Sequence, residues 1–482
     1  MMTSHAAFIA QLRPLLGAKA IVTEPDAIAP WLHDWRGRYH GKTCAILAPE
    51  TTQEVVTIIT AAAAHRVPLV PQGGNTSMVG GATPPDDGTA LILSLRRMNR
   101  IRAISAENNL AVAEAGVILA NLHDAAGVAG RRFPLTLGAR GSATIGGLTS
   151  TNAGGTQVLR FGTMRALVAG VEAVLPDGHV HEGLAALKKD NRGYDLNQLL
   201  IGAEGTLGVI TAATLRLVPA IVARAVAWVG LDTPAQALAL LRQLEAATDS
   251  IESFEILPGD SLASVLRHIP GTRAPLAGPH RWHALIESVA SSADDEPPAA
   301  LLERLLALAL GDGLIDDAAI AASEAQADAF WHIRHSISEA ERANGPAVQH
   351  DISVPVEAMP EFMLAAAHAC EARFVGTHAS GFGHLGDGNV HFHVRAPAGA
   401  QAQRWYAHEA PNITRFVHDM VVAANGSISA EHGIGQFKRA ELERLGPPAR
   451  LAMLRAVKGA LDPRGIMNPG KLVTLAPGGV AP

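Results

Sequence analysis

The chain has 482 residues, of which 48% are hydrophobic, and a formal net charge of −6. This length predicts two or three domains, and the mixed charges provide no polycationic face for nucleic acid. The N-terminus shows no signal pattern, and no run approaches the roughly 18 apolar residues that span a bilayer. We therefore expect a folded cytoplasmic protein, with peripheral attachment to a membrane left open.

The two cysteines, Cys44 and Cys370, lie far apart in the sequence. Their number and spacing argue against a disulfide framework and against a cysteine metal site, and they fit a reducing compartment. We expect both thiols to be buried bystanders.

The first predicted elements are a strand, a helix and a strand. A buried strand is predicted at 45–48, and Thr51 with Glu54 predicts a capping box at the start of a helix. A second strand follows at Leu69 and Val70. This order forms a βαβ unit, and the loop at 72–77 lies where α/β sheets usually bind ligands.

A second glycine-rich stretch runs from Gly138 to Gly155, with Ser, Thr and Asn between the glycines. Such a stretch lets main-chain amides approach an anion closely, and the polar side chains add donors. Together with the loop at 72–77 it predicts two walls of one diphosphate site. For either segment alone, tight turns explain the glycines equally well.

From about residue 222 the sequence alternates short strands with Ala- and Leu-rich helices. Strands are predicted at 225–231, near Phe254 and at 283–287, and a helix is predicted to begin at Thr233 and Pro234. A long helix is expected around 301–310, after an exposed loop at 291–298. The order predicts an α+β domain with an antiparallel sheet.

The sharpest local signal is a histidine-flanked turn at 383–393. Asp387 and Gly388 are the residues preferred at the centre of a two-residue type I′ turn, which would place His384 opposite His391. Opposite residues have Cβ atoms about 4.5–5.5 Å apart, so the two imidazoles could share one metal. The alternative is a polar histidine pair on a solvated strand face.

Two imidazoles leave a metal ion short of ligands, so we predict a carboxylate ligand, Glu431. Its neighbour His432 then suits a general base, although a helix-capping role is the alternative. Zn²⁺ is the expected metal, with Mn²⁺ or Fe²⁺ also compatible. His393 could be a ligand, a substrate contact or a surface residue, and spacing does not decide between these roles.

Residues 331–338 predict a helix with Arg334 and Ser338 one turn apart on the same face. A guanidinium in this position could bind a substrate carboxylate through two parallel hydrogen bonds. The alternative is that Arg334 is a solvated surface residue.

These motifs together resemble the FAD-linked oxidases and dehydrogenases of the vanillyl-alcohol oxidase group, most closely the D-2-hydroxyglutarate and D-lactate dehydrogenase branch. The resemblance runs from about residue 8 to 475. Its marks in the first half of the chain lie at 71–76, 145–155, 193–195 and 201–208. Those in the second half lie at 383–391, 431–433 and 467–471.

The resemblance implies an α+β fold in four parts. They are an N-terminal helical segment at 1–41, a two-subdomain FAD-binding domain at 42–221, a substrate domain with an antiparallel sheet and the metal site at 222–420, and a segment at 421–482 that returns to the FAD-binding domain. Asn75 stands where relatives with covalent flavin carry histidine, so non-covalent FAD is expected.

The residues that the resemblance assigns to FAD are Pro71, Gly73, Gly74, Asn75, Thr76, Ser77, Gly80, Pro134, Leu137, Gly138, Ser142, Thr144, Ile145, Gly147, Thr151, Asn152, Gly154, Gly155, Glu204, Gly205, Gly208, Ile210 and Asn468. It also supports His384, His391 and Glu431 as metal ligands and His432 as catalytic base. Arg334 and Ser338 are implied contacts of the substrate carboxylate.

Departures from the branch bear on the substrate. Gln349 stands where the hydroxyglutarate branch usually has lysine, and His393 where it has asparagine. Both are expected substrate contacts, and the lost positive charge favours a substrate other than D-2-hydroxyglutarate. Thr136 replaces a frequent aspartate, with no evident consequence.

The reaction expected is oxidation of a small D-2-hydroxy acid to the 2-oxo acid, by hydride transfer to the flavin. D-2-Hydroxyglutarate itself remains an alternative substrate. Two less favoured hypotheses are a non-redox flavoprotein similar to an ether-lipid synthase and a flavin-binding protein without catalysis. A flavoprotein, a quinone or a cytochrome would reoxidise the flavin, and a homodimer is compatible with the size.

Overall fold

The computed structural model describes residues 2–475. Its helices are α1 (Met2–Leu12), α2 (Pro25–Ile28), α3 (Thr52–His65), α4 (Leu119–Val128), α5 (Ile145–Thr151), α6 (Val158–Phe161), α7 (Met164–Leu167), α8 (Leu196–Leu200), α9 (Pro234–Ala247), α10 (Gly259–His268), α11 (Pro298–Gly311), α12 (Glu324–His335), α13 (Ile337–Ala343), α14 (Met359–Arg373), α15 (Ala402–His408), α16 (Ala410–Ala423), α17 (Arg439–Leu445) and α18 (Pro448–Leu461).

The strands are β1 (Ile21–Val22), β2 (Ile46–Leu47), β3 (Leu69–Gln72), β4 (Leu91–Ser94), β5 (Ile101–Ser105), β6 (Leu110–Glu114), β7 (Arg131–Arg132), β8 (Val168–Val174), β9 (Val180–Glu182), β10 (Val209–Arg216), β11 (Val218–Pro219), β12 (Ala223–Leu231), β13 (Ile251–Pro258), β14 (Trp282–Ala290), β15 (Asp317–Ile320), β16 (Ala347–Ser353), β17 (His378–His384) and β18 (Asn389–Arg395). The described chain divides into two compact units. The first comprises residues up to Gly154, Gly162–Pro219 and the part from Glu431 onward, and the second comprises Gly155–Phe161 and Ala220–Ala430.

The first unit contains two principal sheets. One has the strand order β1-β2-β4-β3, with β4 parallel to both β2 and β3. The other is antiparallel, in the order β5-β6-β10-β8-β9. Helix α3 connects β2 to β3, as the predicted βαβ unit requires, and its apolar face lies in the hydrophobic core of this unit.

The start of α3 corrects one detail of the prediction. The Thr51 hydroxyl accepts the Glu54 amide at 3.1 Å, so Thr51 is the N-cap. The Glu54 carboxylate accepts the amide of Glu50 at 2.7 Å, whereas a capping box would have paired it with the Thr51 amide. The helix therefore begins where predicted, but the Glu54 side chain bonds to the amide of Glu50, one residue before the N-cap.

The end of the described chain belongs to the first unit. The Leu69 amide donates to Ile466 O at 2.8 Å, and the Asn468 amide donates to Leu69 O at 2.8 Å. Met467 thereby forms a parallel bridge with Leu69. The C-terminal segment thus returns to the first unit, as the resemblance implies.

The second unit is built on one seven-stranded antiparallel sheet, in the order β15-β12-β14-β13-β17-β18-β16. The predicted antiparallel sheet is confirmed. Helix α9 begins with the predicted Thr233 and Pro234, and Thr233 forms a complete capping box with Gln236. One face of the sheet packs under α10, α12 and α13 around Trp228 and Phe382.

No helix in the described residues combines the length and apolarity needed to cross a membrane. Both cysteines are unpaired. Cys370 is buried, and burial raises the pKa of its thiol to about 12. Cys44 is exposed, contrary to the prediction.

Candidate active site

The two glycine-rich segments of the first unit pack against each other. A Cβ at Gly73 would lie 2.2 Å from Thr144 Oγ1, and one at Gly74 would lie 1.8 Å from Ser142 O. Real Cβ atoms do not approach other heavy atoms this closely, and at Gly74 the neighbour is backbone, so only glycine permits that contact. Asn75 follows with φ at +55° and donates its amide to His33 O at 3.0 Å. The two segments therefore form facing walls within the first unit.

Several polar atoms at these walls are buried and have no hydrogen-bond partner within the described chain. They are Gln72 Oε1, Thr144 Oγ1 and Asn468 Oδ1. The side-chain Nδ2 of Asn468 donates to Gly81 O at 3.0 Å and to Glu204 O at 2.7 Å, and these two bonds fix the side chain. Buried polar atoms normally find partners, so this cluster fits a polar cofactor. The Thr144 hydroxyl can donate to a diphosphate oxygen of FAD, whereas the amide oxygens of Gln72 and Asn468 are acceptors that match N–H or O–H donors of the cofactor.

Other predicted FAD residues brace the walls. The Asn152 Oδ1 atom accepts the Thr163 hydroxyl and the Arg165 amide, both at 2.9 Å. The Glu204 carboxylate accepts the amides of Ile434 and Gly435, each at 2.7 Å, and its burial raises its pKa. Glu204 thus holds the loop that follows Glu431 and His432.

The remaining predicted FAD residues are divided between the two units. The first unit contains Pro71, Thr76, Ser77, Gly80, Pro134, Leu137, Gly138, Ile145, Gly147, Thr151, Gly154, Gly205, Gly208 and Ile210, and the second contains Gly155.

In the second unit, the histidine-flanked turn is longer than predicted. His384 pairs with Asn389, and His391 pairs with Phe382, so four residues, 385–388, separate the strands. The Asp387 carboxylate accepts the Asn389 amide at 2.9 Å, which closes a turn wider than the type I′ form. The predicted directly opposed histidine pair is therefore wrong.

His384 and His391 nevertheless meet on one face of the sheet. They form a diagonal cross-strand pair with ring centroids 5.4 Å apart. His384 is buried and His391 is partly buried. Neither histidine lies on a solvated strand face, so that alternative is wrong.

A buried charge network extends from His384, and no sequence motif pointed to its central residue. Glu255 lies opposite His384 across β13 and β17. Its Oε1 lies 2.6 Å from His384 Nδ1, and its Oε2 accepts Arg334 Nε at 2.8 Å. Arg334 and His384 hold the pKa of Glu255 below its usual range, although burial alone would raise it. Charge pairing therefore keeps this buried carboxylate ionised.

Arg334 is 6% exposed, so the alternative of a solvated surface residue is wrong. Its Nη2 lies 2.7 Å from Glu255 Oε2, and its guanidinium lies over the Phe382 ring at 5.0 Å. The predicted single helix is also wrong, because α12 ends at His335 and α13 begins at Ile337. Ser338 is exposed, whereas Arg334 is buried.

Further polar residues line the same face of the sheet. Gln349 and Ser380 flank His393 on the two neighbouring strands, and Asp351 lies beside His391. His393 is 4% exposed, which excludes a plain surface role. Gln349 Nε2 is buried, with no hydrogen-bond partner in the described chain. This face therefore presents a strip of polar side chains that includes one unmatched buried donor, Gln349 Nε2.

Glu431 and His432 belong to the first unit and are both partly buried. The two residues directly follow Ala430, which is the last residue of the second unit. The stretch before them is anchored in the second unit, because Ser427 and Ser353 exchange two backbone hydrogen bonds of 2.8 and 3.0 Å.

Two family models cover most of the chain. Residues 44–183 match the FAD binding domain, and residues 222–472 match the C-terminal domain of FAD linked oxidases. Together with the glycine walls, these matches define a flavin-dependent oxidoreductase. The chain belongs to the family of FAD-linked oxidases, and its cofactor is FAD.

Named relatives extend over nearly the whole chain. The chain is 35% identical over 467 residues to mitochondrial D-2-hydroxyglutarate dehydrogenase of Arabidopsis thaliana, covering 96% of this chain and 81% of the relative. It is 34% identical over 467 residues to D-2-hydroxyglutarate dehydrogenase of Xanthomonas citri pv. viticola, covering 96% of each. The solved structure of p-cresol methylhydroxylase shares the fold, with a TM-score of 0.74 at 14% identity, over 98% of this chain and 97% of that one.

Proposed function

We propose that this protein is an FAD-dependent, metal-assisted dehydrogenase that oxidises a D-2-hydroxy acid to the 2-oxo acid. The observation that carries the proposal is the arrangement of His384, His391 and Glu255 on one sheet face, with Arg334 of α12 bonded to Glu255. It combines imidazoles suited to a divalent cation with a guanidinium suited to a carboxylate. The two named relatives, both D-2-hydroxyglutarate dehydrogenases, support the reaction class.

His384, His391 and Glu431 are the proposed ligands of one divalent metal, with Zn²⁺ favoured and Mn²⁺ or Fe²⁺ compatible. Two imidazoles and a carboxylate form a donor set that leaves a coordination position for substrate. Glu431 follows Ser427 by four residues, and an extended chain covers about 3.3–3.6 Å per residue. Because Ser427 is tied to Ser353, which pairs with Asn389 at the histidine turn, the carboxylate is within chain reach of both histidines.

Arg334 is the proposed partner of the substrate carboxylate. A guanidinium has five N–H donors, of which Nε donates to Glu255, while Nη2 makes an ion-pair contact with the same oxygen. His432 is the proposed general base that accepts the proton of the substrate hydroxyl. FAD, when bound, supplies the hydride acceptor at N5. Asn75 carries an amide that cannot form the histidine-type covalent bond, so the flavin is proposed to be non-covalent.

The proposed substrate has a single carboxylate, as in D-lactate. Gln349 and His393 lie side by side on the polar strip, and neither provides the permanent positive charge that a second carboxylate would favour. Gln349 Nε2 is a buried donor suited to a neutral oxygen of the substrate. D-2-Hydroxyglutarate is the alternative, and the names of the two relatives favour it.

The test is anaerobic bleaching of the flavin by a panel of D and L 2-hydroxy acids with one or two carboxylates. We expect bleaching by D enantiomers, fastest with a monocarboxylate such as D-lactate. Faster bleaching by D-2-hydroxyglutarate would overturn the substrate proposal and leave the reaction class intact. Bleaching by none of them would overturn the reaction class and favour a non-redox flavoprotein.

We further propose that the enzyme works in a reducing compartment such as the cytoplasm, which the two unpaired cysteines support. A flavoprotein, quinone or cytochrome is the proposed electron acceptor. A homodimer is the proposed assembly.

A further inference from the structure

Glu255 is a buried carboxylate that joins two parts of the proposed site. It lies on β13 in the interior of the seven-stranded sheet and is 0% exposed. One carboxylate oxygen faces His384 Nδ1 at 2.6 Å, and the other accepts Arg334 Nε at 2.8 Å. One side chain thereby contacts both a proposed metal ligand and the proposed carboxylate-binding residue.

The contact with His384 fixes the orientation of the imidazole. The Glu255 carboxylate engages His384 Nδ1 at 2.6 Å, so this ring nitrogen faces β13. Nε2 is then the ring nitrogen that can bind a metal. Carboxylates in this position orient metal-binding histidines and increase their basicity. Glu255 has the geometry and the burial for that role.

The contact with Arg334 fixes the direction of the guanidinium. Nε and Nη2 both lie within 2.8 Å of Glu255 Oε2, which holds that edge of the planar group against β13. Phe382 lies 5.0 Å beneath the guanidinium and limits its tilt. Arg334 is therefore oriented before any substrate arrives, which lowers the entropic cost of binding a carboxylate.

Resting on the proposed function, we infer that Glu255 is a positioning residue that sets His384 for metal binding and Arg334 for substrate binding together. It does not touch the reacting atoms. Its loss is therefore expected to weaken metal affinity and substrate affinity at the same time.

The test compares Glu255→Gln with Glu252→Gln. Glu252 is a matched control, because it is also fully buried on β13 and forms an ion pair with Arg160 at 3.0 Å. Zn²⁺ affinity is measured by competition with a chelator, and pyruvate affinity by the perturbation of the flavin spectrum. In Glu255→Gln we expect Zn²⁺ affinity to fall about 10- to 100-fold and pyruvate affinity to fall at least about tenfold. In Glu252→Gln both should stay within about twofold of wild type.

Native Zn²⁺ and pyruvate affinities in folded Glu255→Gln would overturn the inference. If that variant does not fold, Glu255→Asp retains the negative charge but withdraws the carboxylate by one methylene from both His384 and Arg334. We expect Glu255→Asp to lose Zn²⁺ affinity about tenfold, and native affinity there would also overturn the inference. Failure of the proposed function would look different, since wild-type enzyme itself would then bind no Zn²⁺ or leave the flavin unbleached.

Discussion

The glycine walls of the first unit and the polar sheet face of the second unit place functional groups in different ways. At the walls, Gly73 and Gly74 approach Thr144 and Ser142, so binding groups are set by backbone and by missing side chains. On the sheet face, His384 is positioned by Glu255, which lies 129 residues away in sequence. The first arrangement depends on local residue type, and the second depends on strand register and charge pairing.

The largest effect is expected on the sheet face, from His391→Asn. The substitution removes an imidazole that meets His384 at a ring distance of 5.4 Å. If a metal bound there stabilises charge in the transition state, kcat/KM should fall about 1,000-fold, or about 4 kcal/mol. Steady-state kinetics with D-lactate measures the change. His378→Asn is the control, because His378 lies at the far end of the same hairpin and pairs with Asp260 and Glu371. Equal losses in both variants would indicate damage to the hairpin.

A smaller effect is expected at the walls, from Gly74→Ala. The added Cβ would lie 1.8 Å from Ser142 O, a backbone atom, so the two walls must separate. Overpacking typically costs about 1–3 kcal/mol, which predicts FAD affinity weaker by up to about 100-fold. Release of FAD fluorescence on dilution measures it. Gly141→Ala is the matched control, since a Cβ at Gly141 meets nothing within 4 Å. If both variants keep native FAD affinity, the close approach of the two walls is not required for FAD binding.

The smallest effect is expected on the pH dependence of stability. It comes from His283, which lies on the same sheet but outside the charge network of Glu255, His384 and Arg334. Burial, with the nearby His280 charge, lowers the pKa of His283 to about 4, and Trp228 Nε1 donates to its Nδ1 at 3.1 Å. The folded pKa lies below the unfolded value of about 6.5, so between pH 6.5 and pH 4 the unfolded chain binds a proton at His283 and the folded chain does not. The free energy of unfolding is therefore highest above pH 6.5 and falls as pH drops toward 4. The slope contributed by this one group is at most about 1.4 kcal/mol per pH unit.

Thermal unfolding between pH 7 and pH 5 measures this effect. Wild type should lose melting temperature more steeply than His283→Gln, whereas the exposed control His179→Gln should follow wild type. If melting temperature depends on pH in the same way in wild type and His283→Gln, protonation of His283 does not contribute to the pH dependence of stability.

The same contrast explains what the sequence could predict. Turn and cap residues act locally, so the βαβ unit, the start of α9 and the glycine walls were all predictable. Register is less local. Asp387 and Gly388 favoured a two-residue turn, yet the Asp387 carboxylate closes a longer one through the Asn389 amide, and His384 moves from a direct to a diagonal position.

Contacts between distant elements were beyond the sequence pattern. Glu255 lies in a strand whose eight residues are all buried, and nothing near it in sequence points to His384 or Arg334. The break in the helix at Ser336 also had no local signal, because neither glycine nor proline marks it. Only the paired sheet shows that a carboxylate on β13 faces a histidine on β17.

The most direct test of metal-assisted oxidation is anaerobic flavin bleaching by D-lactate after the metal is removed. Chelator-treated enzyme that retains its FAD should bleach at least about 100-fold more slowly, since a metal supplies several kcal/mol of charge stabilisation. Added Zn²⁺ should restore the rate. Bleaching at the native rate by enzyme shown by elemental analysis to contain no metal would contradict the account.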